Sequence, residues 1–376
     1  MKIAVPKERR AGEARVAASP DTVKKFIQLG FAVVVETGAG AGASMGDSVF
    51  AEAGATIAAD AAALYAEGDV VLKIQRPTDE EVGLLKPDSV LIASLAALAN
   101  RDLIGRLAER RVTAFAMELL PRITRAQSMD ILSSQANLAG YKAVLDAVGV
   151  FTRAVPMMMT AAGTIAPARF LVLGAGVAGL QAIATAKRLG GVVYASDVRP
   201  AVKEQVESLG GKFVEVDSDS AKDAETAGGY AKEMSEDYKR KQAEKVAETL
   251  KKTDIAICTA LIPGRPAPVL ITEEMVKSMR PGSVIVDLAV EAGGNCPLSE
   301  FDKVVVKHGI TLVGYGNVPA RLAVDASALF AKNLLNFVTP LVDKETHALK
   351  FNWEDEILKG TCVTRDGAIV HPAFAA

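Results

Sequence analysis

Two doubly wound α/β domains, each a parallel sheet with helices on both faces, are the architecture this sequence predicts. Three observations predict it. Apolar strand-like runs alternate with helical stretches twice along the chain. A glycine-rich turn sits between a strand and a helix near the middle of the chain. The 376 residues hold two domains or slightly more, at roughly 150 residues each.

The first third carries five strand patterns: "KIAVP", "FAVVVE", "DVVLKI", "SVLIAS" and "VTAFAMEL". Helical stretches such as "SPDTVKKFIQLG" and "RDLIGRLAERR" lie between them. Next comes "RITRAQSMDILSS", Arg122 to Ser134, with Arg122, Arg125, Gln127, Asp130, Ser133 and Ser134 crowded at the mouth of a helix. It is dense in hydrogen-bond donors and acceptors, yet it has no His, no Cys and no metal-ligand cluster. Read by itself it is a helix-capping cluster with a surface ion pair. The helix that follows, "SMDILSSQANLAGYKAVLDAV", puts Ile131, Leu138, Leu145 and Val148 on one stripe. "PMMMTAAGTIAPAR" then interrupts the pattern as a boundary, its Met triplet reading as soft packing.

A second round of strands follows: "FLVLG", "VVYASD", "KFVEVD", "DIAICTA", "SVIVDLA" and "ITLVGYG". Six in that rhythm make a complete doubly wound sheet. The polar stretch from Ser220 to Lys245 fits neither sheet. The last sixty or so residues include the helical "DASALFAKNLLNFVTPLV" and cannot build a core alone, so they are expected to return to the first domain. The expected partition is residues 1–130 with 320–376, and residues 131–319. Long helices link the two, with a dinucleotide cleft between them.

Composition excludes several classes. Half the residues are hydrophobic and 23% are charged, which suits a globular core. A net charge of −2 gives no electrostatic reason for a nucleic-acid or anionic-membrane partner. Cys258, Cys296 and Cys362 lie far apart without C-x-x-C spacing, so reduced thiols are expected rather than a disulfide frame or zinc site. "MKIAVPKERR" does not read as a signal peptide, and no apolar run is long enough to span a bilayer. A cytoplasmic chain is expected.

The chemistry is most legible in "VLGAGVAG". Gly174, Gly176 and Gly179 stand in G-x-G-x-x-G spacing after a strand and at a helix start, the context a dinucleotide turn demands. Gly174 permits the tight turn, Gly176 lets a pyrophosphate approach the backbone, and Gly179 allows close helix–strand packing. Val177 and Ala178 open the helix, whose free N–H groups favour phosphate. Both domains are thus expected to be Rossmann-like. Asp197 closes the next strand about 20 residues on, where a carboxylate accepts from the ribose hydroxyls of NAD and repels the 2′-phosphate of NADP. Val198 and Arg199 follow it, and the cation of Arg199 complicates that choice.

The order of features resembles a known superfamily. "MKIAVPKERRAGEARVAASP", "LKIQRP", the nucleotide fingerprint and "DLAVEAGGN" together look like the group holding alanine dehydrogenase and the NAD(H)-binding component of proton-translocating nicotinamide nucleotide transhydrogenase. The resemblance covers essentially the whole chain. Alanine dehydrogenases carry a catalytic His in a "YLHLA"-like context; here the stretch is "ASLAALA", with Ala96 at that position. Arg15 and Lys73 match the cations that hold the amino-acid substrate in those enzymes, and are read here as structural cations in ion pairs. Amine oxidation needs proton transfers, whereas hydride exchange between two nicotinamides needs only ring alignment and exclusion of water.

The longer matches, "RITRAQSMDILSSQANLAGY", "AGGYAKEM", "TALIPGRPAPVLIT" and "KGTCVTRDGAIVHP", resemble the transhydrogenase side. That resemblance implies that Asp130 and Ser133 bond the NAD carboxamide, Arg122 clamps Asp130 and the nucleotide, and Gln127 reaches toward a second nucleotide. It implies a mobile loop with Tyr230 at its tip, and adds Ala260, Leu261 and Glu291 to the cofactor contacts. It also implies a homodimer that works with separate NADP(H)-binding and membrane-spanning subunits, peripheral to the inner membrane complex. A self-sufficient alanine dehydrogenase and a non-catalytic NAD(H) sensor are the alternatives.

Overall fold

The computed structural model of the chain describes residues 1–215, 235–261 and 265–374. They form two compact units, Met1–Gln135 with Pro319–Ala376, and Ala136–Val318.

The first unit is built on β1 (Lys2–Val5), β2 (Ala32–Glu36), β3 (Thr56–Ala58), β4 (Val70–Leu72), β5 (Val90–Ala93) and β6 (Thr113–Ala116). All six pair in parallel, in spatial order β3-β2-β1-β4-β5-β6. Strands buried on both faces read as continuous apolar runs, which is why "VVL" and "VLIA" show no alternation. Helices α1 (Pro20–Gln28), α2 (Asp47–Glu52), α3 (Ala61–Glu67), α4 (Asp79–Leu84) and α5 (Arg101–Glu109) connect them. Ser19 and Thr78 cap α1 and α4 through reciprocal capping boxes, and Pro20 begins α1 without needing a partner for its nitrogen. Strand β3 has no counterpart in the sequence reading, because three residues are too short to display a period.

Helix α6 (Ile131–Val150) carries the chain from the first unit into the second. The predicted stripe is only partly right. Ile131 is buried and Val148 packs, partly buried, against the second unit's core, but Leu138 and Leu145 are only partly buried, and the helix residues fully inside that core are Ala143, Val144 and Ala147. Small residues are selected there because the backbone comes close: a Cβ on Gly140 would lie 2.0 Å from the Ala178 carbonyl oxygen.

The stretch read as a boundary forms an antiparallel hairpin, β7 (Met158–Thr160) with β8 (Gly163–Ile165). Met157, Met158 and Met159 are 59%, 45% and 78% exposed, so they do not serve as soft packing within this chain.

The second unit repeats the first unit's strand order. β9 (Arg169–Leu173), β10 (Val192–Ser196), β11 (Lys212–Phe213), β12 (Ile255–Cys258), β13 (Val284–Asp287), β14 (Lys303–Lys307) and β15 (Ile310–Gly314) lie in order β11-β10-β9-β12-β13-β15-β14. Only β14 is antiparallel, paired to β15 as an edge strand. Along β9, Phe170 and Val172 enter one core while Leu171 and Leu173 enter the core on the opposite face. Helices α7 (Val177–Arg188), α8 (Lys203–Ser208), α9 (Glu236–Leu250) and α10 (Glu273–Ser278) cover the sheet. The polar stretch from Ser220 to Lys245 is therefore partly regular: from Glu236 onward it is α9, capped by Ser235. Its earlier part, including Tyr230, lies outside the described residues.

The chain then returns to the first unit. Helix α11 (Ala323–Val338) adds Phe330, Leu334 and Phe337 to its core, and α12 (Glu356–Thr361) leads into β16 (Cys362–Arg365), which pairs antiparallel to β6, and β17 (Ala368–Ile369), which pairs antiparallel to β16 at the sheet edge. Among the described residues, no helix is long and apolar enough to cross a membrane.

Candidate functional site

The dinucleotide turn has the geometry its sequence predicts. Gly174 sits at φ +98°, and a Cβ there would meet Thr259 Oγ1 at 2.7 Å. A Cβ on Gly179 would meet the Gly174 carbonyl oxygen at 1.8 Å. Both positions exclude any larger residue, one through its dihedral and both through crowding. Gly176 differs, since nothing lies within 4 Å of its Cβ position. That open approach, at the start of α7, is where a pyrophosphate can reach the helix N–H groups. Val177 is 40% exposed on the same first turn, and Ala178 beside it is half-buried. The turn therefore fits a dinucleotide on steric grounds.

Asp197 follows β10 and is tied into the turn. Its Oδ2 accepts from the Ala175 amide at 2.7 Å and from Arg199 Nη2 at 2.8 Å. Its Oδ1 accepts from the Arg199 amide and Arg199 Nε, both at 2.9 Å. The side chain of Asp197 is 6% exposed and that of Arg199 is 15% exposed. Tyr238 of α9 donates to the Val198 carbonyl at 3.5 Å.

Two supporting residues escaped the sequence reading. The Thr259 hydroxyl donates to the Gly174 carbonyl at 2.9 Å and so closes the turn from β12. Asn295 is fully buried, and its amide donates to the carbonyls of Ala260 (2.9 Å) and Pro268 (2.7 Å), gathering both ends of the segment that carries Ala260 and Leu261. Leu261 is 48% exposed. A Thr at a strand end and an Asn after two glycines are common enough that neither announces such a task.

The "DLAVEAGGN" loop is organised by Asp287. This fully buried carboxylate accepts from the amides of Ala289, Asn295 and Cys296 at 3.0–3.1 Å. The donors are all backbone amides, the arrangement that suits a buried carboxylate. The loop presents Glu291, which is exposed and accepts from the Asn317 amide at 3.2 Å.

In the first unit, the 122–134 segment is a short 3-10 turn over Thr124–Met129. Ala126 and Met129 anchor it in the core, and Asn333 and Asn336 of α11 both donate to the Ser128 carbonyl at 2.9 Å. Asp130 caps α6: its Oδ1 accepts from the Ser133 amide at 3.0 Å, and the Ser133 hydroxyl donates to its Oδ2. Arg125 forms a bidentate pair with Asp355, the cap of α12, at 2.6 and 2.8 Å. Ser134 donates to Asn333 at 2.7 Å. Arg122 and Gln127 are left exposed on the turn's surface. The capping reading of this segment is thus present in the geometry, and Arg125 and Ser134 are committed to it.

The two cations matched to amino-acid binding are engaged internally. Lys73 is fully buried, with Nζ 2.8 Å from Glu81 Oε1 and 3.3 Å from Glu8 Oε2; the Tyr65 hydroxyl also donates to Glu81, at 3.0 Å. Arg15 grips Glu13 with Nε at 2.7 Å and Nη2 at 2.6 Å, and donates to Gln135 at 2.8 Å. Three carboxylates thus face two cations. Burial pushes Glu8 above the usual carboxylate range despite the charge of Lys73. Burial also acts on Glu13 and Glu81, but Arg15 and Lys73 respectively outweigh it and hold both carboxyls low. Ala96 lies at φ +48° in a turn fixed by Glu118, whose carboxylate accepts from the Leu95 and Ala97 amides at 3.0 and 2.8 Å.

Comparison with known proteins agrees with this anatomy. The N-terminal domain of the alanine dehydrogenase/PNT family matches residues 4–139, and its C-terminal domain matches residues 143–372. An NAD(P) transhydrogenase subunit alpha chain of Rhodospirillum rubrum is 67% identical over 379 aligned positions, covering 100% of this chain and 99% of the relative. The crystal structure of a transhydrogenase from Sinorhizobium meliloti superposes with a TM-score of 0.87 at 49% identity over 100% of both chains. An L-alanine dehydrogenase structure superposes with a TM-score of 0.82 at 26% identity, over 99% of this chain and 98% of that one. The sheet order, the glycine turn and the matched segments have one source: this chain belongs to the alanine dehydrogenase/PNT family.

Proposed function

We propose that this chain is the NAD(H)-binding component of a proton-translocating nicotinamide nucleotide transhydrogenase. In this role it passes hydride between its own nucleotide and NADP(H) held on a partner subunit, while separate membrane subunits move the proton. The pyrophosphate is assigned to the Gly174–Gly179 turn with Val177 and Ala178. The adenosine ribose is assigned to Asp197 beside Val198 and Arg199. Ala260, Leu261, Glu291 and Tyr230 are assigned further nucleotide contacts, and Arg122, Gln127, Asp130 and Ser133 the orientation of the nicotinamide. The exposed hairpin over residues 157–165 is an apolar surface of the kind a second copy covers, which supports a homodimer.

The observation that carries this reading over an alanine dehydrogenase is the state of Arg15 and Lys73. Each is already neutralised by a buried carboxylate of the chain itself, and Ala96 supplies no proton-transferring group. A substrate carboxylate would have to displace Glu13, Glu8 or Glu81 from a dry environment. The purified chain is therefore expected not to oxidise L-alanine with NAD+. Turnover in the ordinary enzymatic range of about 1–1000 per second would reverse the choice.

Nucleotide selection follows from Asp197. Equilibrium titration should show NADH binding more tightly than NADPH by roughly 2–4 kcal/mol, from a lost hydrogen bond together with charge repulsion. Equal affinities would remove Asp197 from the ribose site.

A further inference from the structure

Asp197 has no acceptor capacity to spare. A carboxylate offers about four lone-pair sites, and here four N–H donors occupy them. Two are backbone amides, of Ala175 in the glycine turn and of Arg199 two residues after Asp197. The other two are Nε and Nη2 of the Arg199 guanidinium, one on each oxygen. A ribose diol brings two O–H donors. We infer that Arg199 is an internal competitor for the ribose site: its two guanidinium bonds to Asp197 are exchanged for two ribose hydroxyl bonds when nucleotide binds. This rests on the assignment of the adenosine ribose to Asp197.

The exchange is balanced in hydrogen bonds but not in charge. While Arg199 covers it, the carboxylate is neutralised; once uncovered, it faces the ribose as a full anion, with a displaced cation two residues away. Two consequences follow. NADH binding must displace the pair, so the chain binds NADH less tightly than its turn and carboxylate would allow. The displaced guanidinium also offsets the repulsion that Asp197 exerts on a 2′-phosphate, because an Arg at this point of the fold accommodates that group. Arg199 therefore weakens the affinity for NAD(H) and narrows its margin over NADP(H). It sets specificity through Asp197 and is not a catalytic residue. Lysine would not replace it, since a point charge cannot span both oxygens as the planar fork does.

The test is equilibrium titration of NADH and NADPH against the full chain and four variants: R199A, R199K, D197A and the double variant. Displacement of a partly exposed pair corresponds to a gain of roughly three- to tenfold in NADH affinity for R199A. NADPH affinity should stay level or fall, so the ratio widens. R199K should gain less than R199A. On the D197A background, R199A should give no gain in NADH affinity, because the effect passes through Asp197. Weaker NADH binding by R199A would overturn the inference. So would equal tightening of both nucleotides, which would mean that Arg199 obstructs the site without competing for the carboxylate. D197A separates the two levels. If D197A leaves NADH binding unchanged, the ribose assignment fails and takes the inference with it. If D197A weakens NADH strongly while R199A gives no gain, only the inference fails.

Discussion

Lys73→Met should lower the stability of the first unit by about 3–5 kcal/mol, the usual loss when one partner is removed from a buried ion pair. Lys73 is the only cation paired with Glu8 and Glu81 among the described ion pairs, and all three are nearly inaccessible. Methionine fills the volume but leaves two carboxylates in a low-dielectric interior. The loss should depend on pH in a defined sense. Without Lys73, the folded-state pKa values of Glu8 and Glu81 rise above the unfolded value of about 4.3. Groups raised in this way cost stability as pH climbs through their folded values. The deficit should therefore be larger at pH 7 than at pH 5. The tendency is already visible in the native chain, where burial raises Glu8 against the pull of Lys73. Trp353, the single tryptophan, stacks on Phe351 with ring centroids 4.9 Å apart in the same unit, so urea unfolding followed by its fluorescence reports this unit directly. A pH-independent loss of under about 1 kcal/mol would mean that the cluster is solvated and its charges are not coupled.

Asp130→Asn and Gln127→Asn should slow hydride transfer to bound NADP+ by about 100-fold, because near-attack geometry is steeply sensitive to small displacements. NADH affinity should fall severalfold at most, since the pyrophosphate turn and Asp197 are expected to supply most of the binding. The structure makes Asp130→Asn a clean substitution. Asp130 caps α6 through the Ser133 amide, and asparagine caps helices about as well, so the fold is retained while the charge is removed. Gln127 is exposed, so its shortening leaves no cavity. Stopped-flow transfer beside NADH titration separates orientation from binding. Equal losses in both measurements would make the segment part of the nucleotide pocket only.

Much of this was legible in the sequence, for physical reasons. Strands buried on both faces declare themselves as runs such as "AVVV", and a glycine turn between strand and helix has few other uses. Elements held by tertiary context were not legible. Strand β3 is three residues long, and the edge strand "KVVVK" resembles a polar connection with three valines. Helix α6 misled for a different reason. Its buried face is set by how closely Gly140 approaches Ala178, so alanines went inside and the larger leucines stayed at the margin. The exposed methionines of the hairpin follow no periodicity that separates them from core. At the site, the glycines and Asp197 could be read because their spacing has a mechanism. Thr259 and Asn295 act through single hydrogen bonds to distant backbone carbonyls, and such bonds leave no trace in local sequence. The capture of Asp197 by Arg199 needed the atoms as well: two residues of separation suggest proximity, not a filled carboxylate.

The central claim is that this chain delivers or accepts hydride through a partner's nucleotide. It is tested most directly by mixing the purified chain, loaded with a reduced NADH analogue, with the NADP(H)-binding component of a transhydrogenase loaded with NADP+, and following both nucleotides by stopped flow. The expected result is direct transfer that depends on both proteins, proceeds without any amino-acid substrate, and drops by about 100-fold in Asp130→Asn. Tight NADH binding without transfer at saturating partner, together with oxidation of L-alanine by the chain alone, would contradict it.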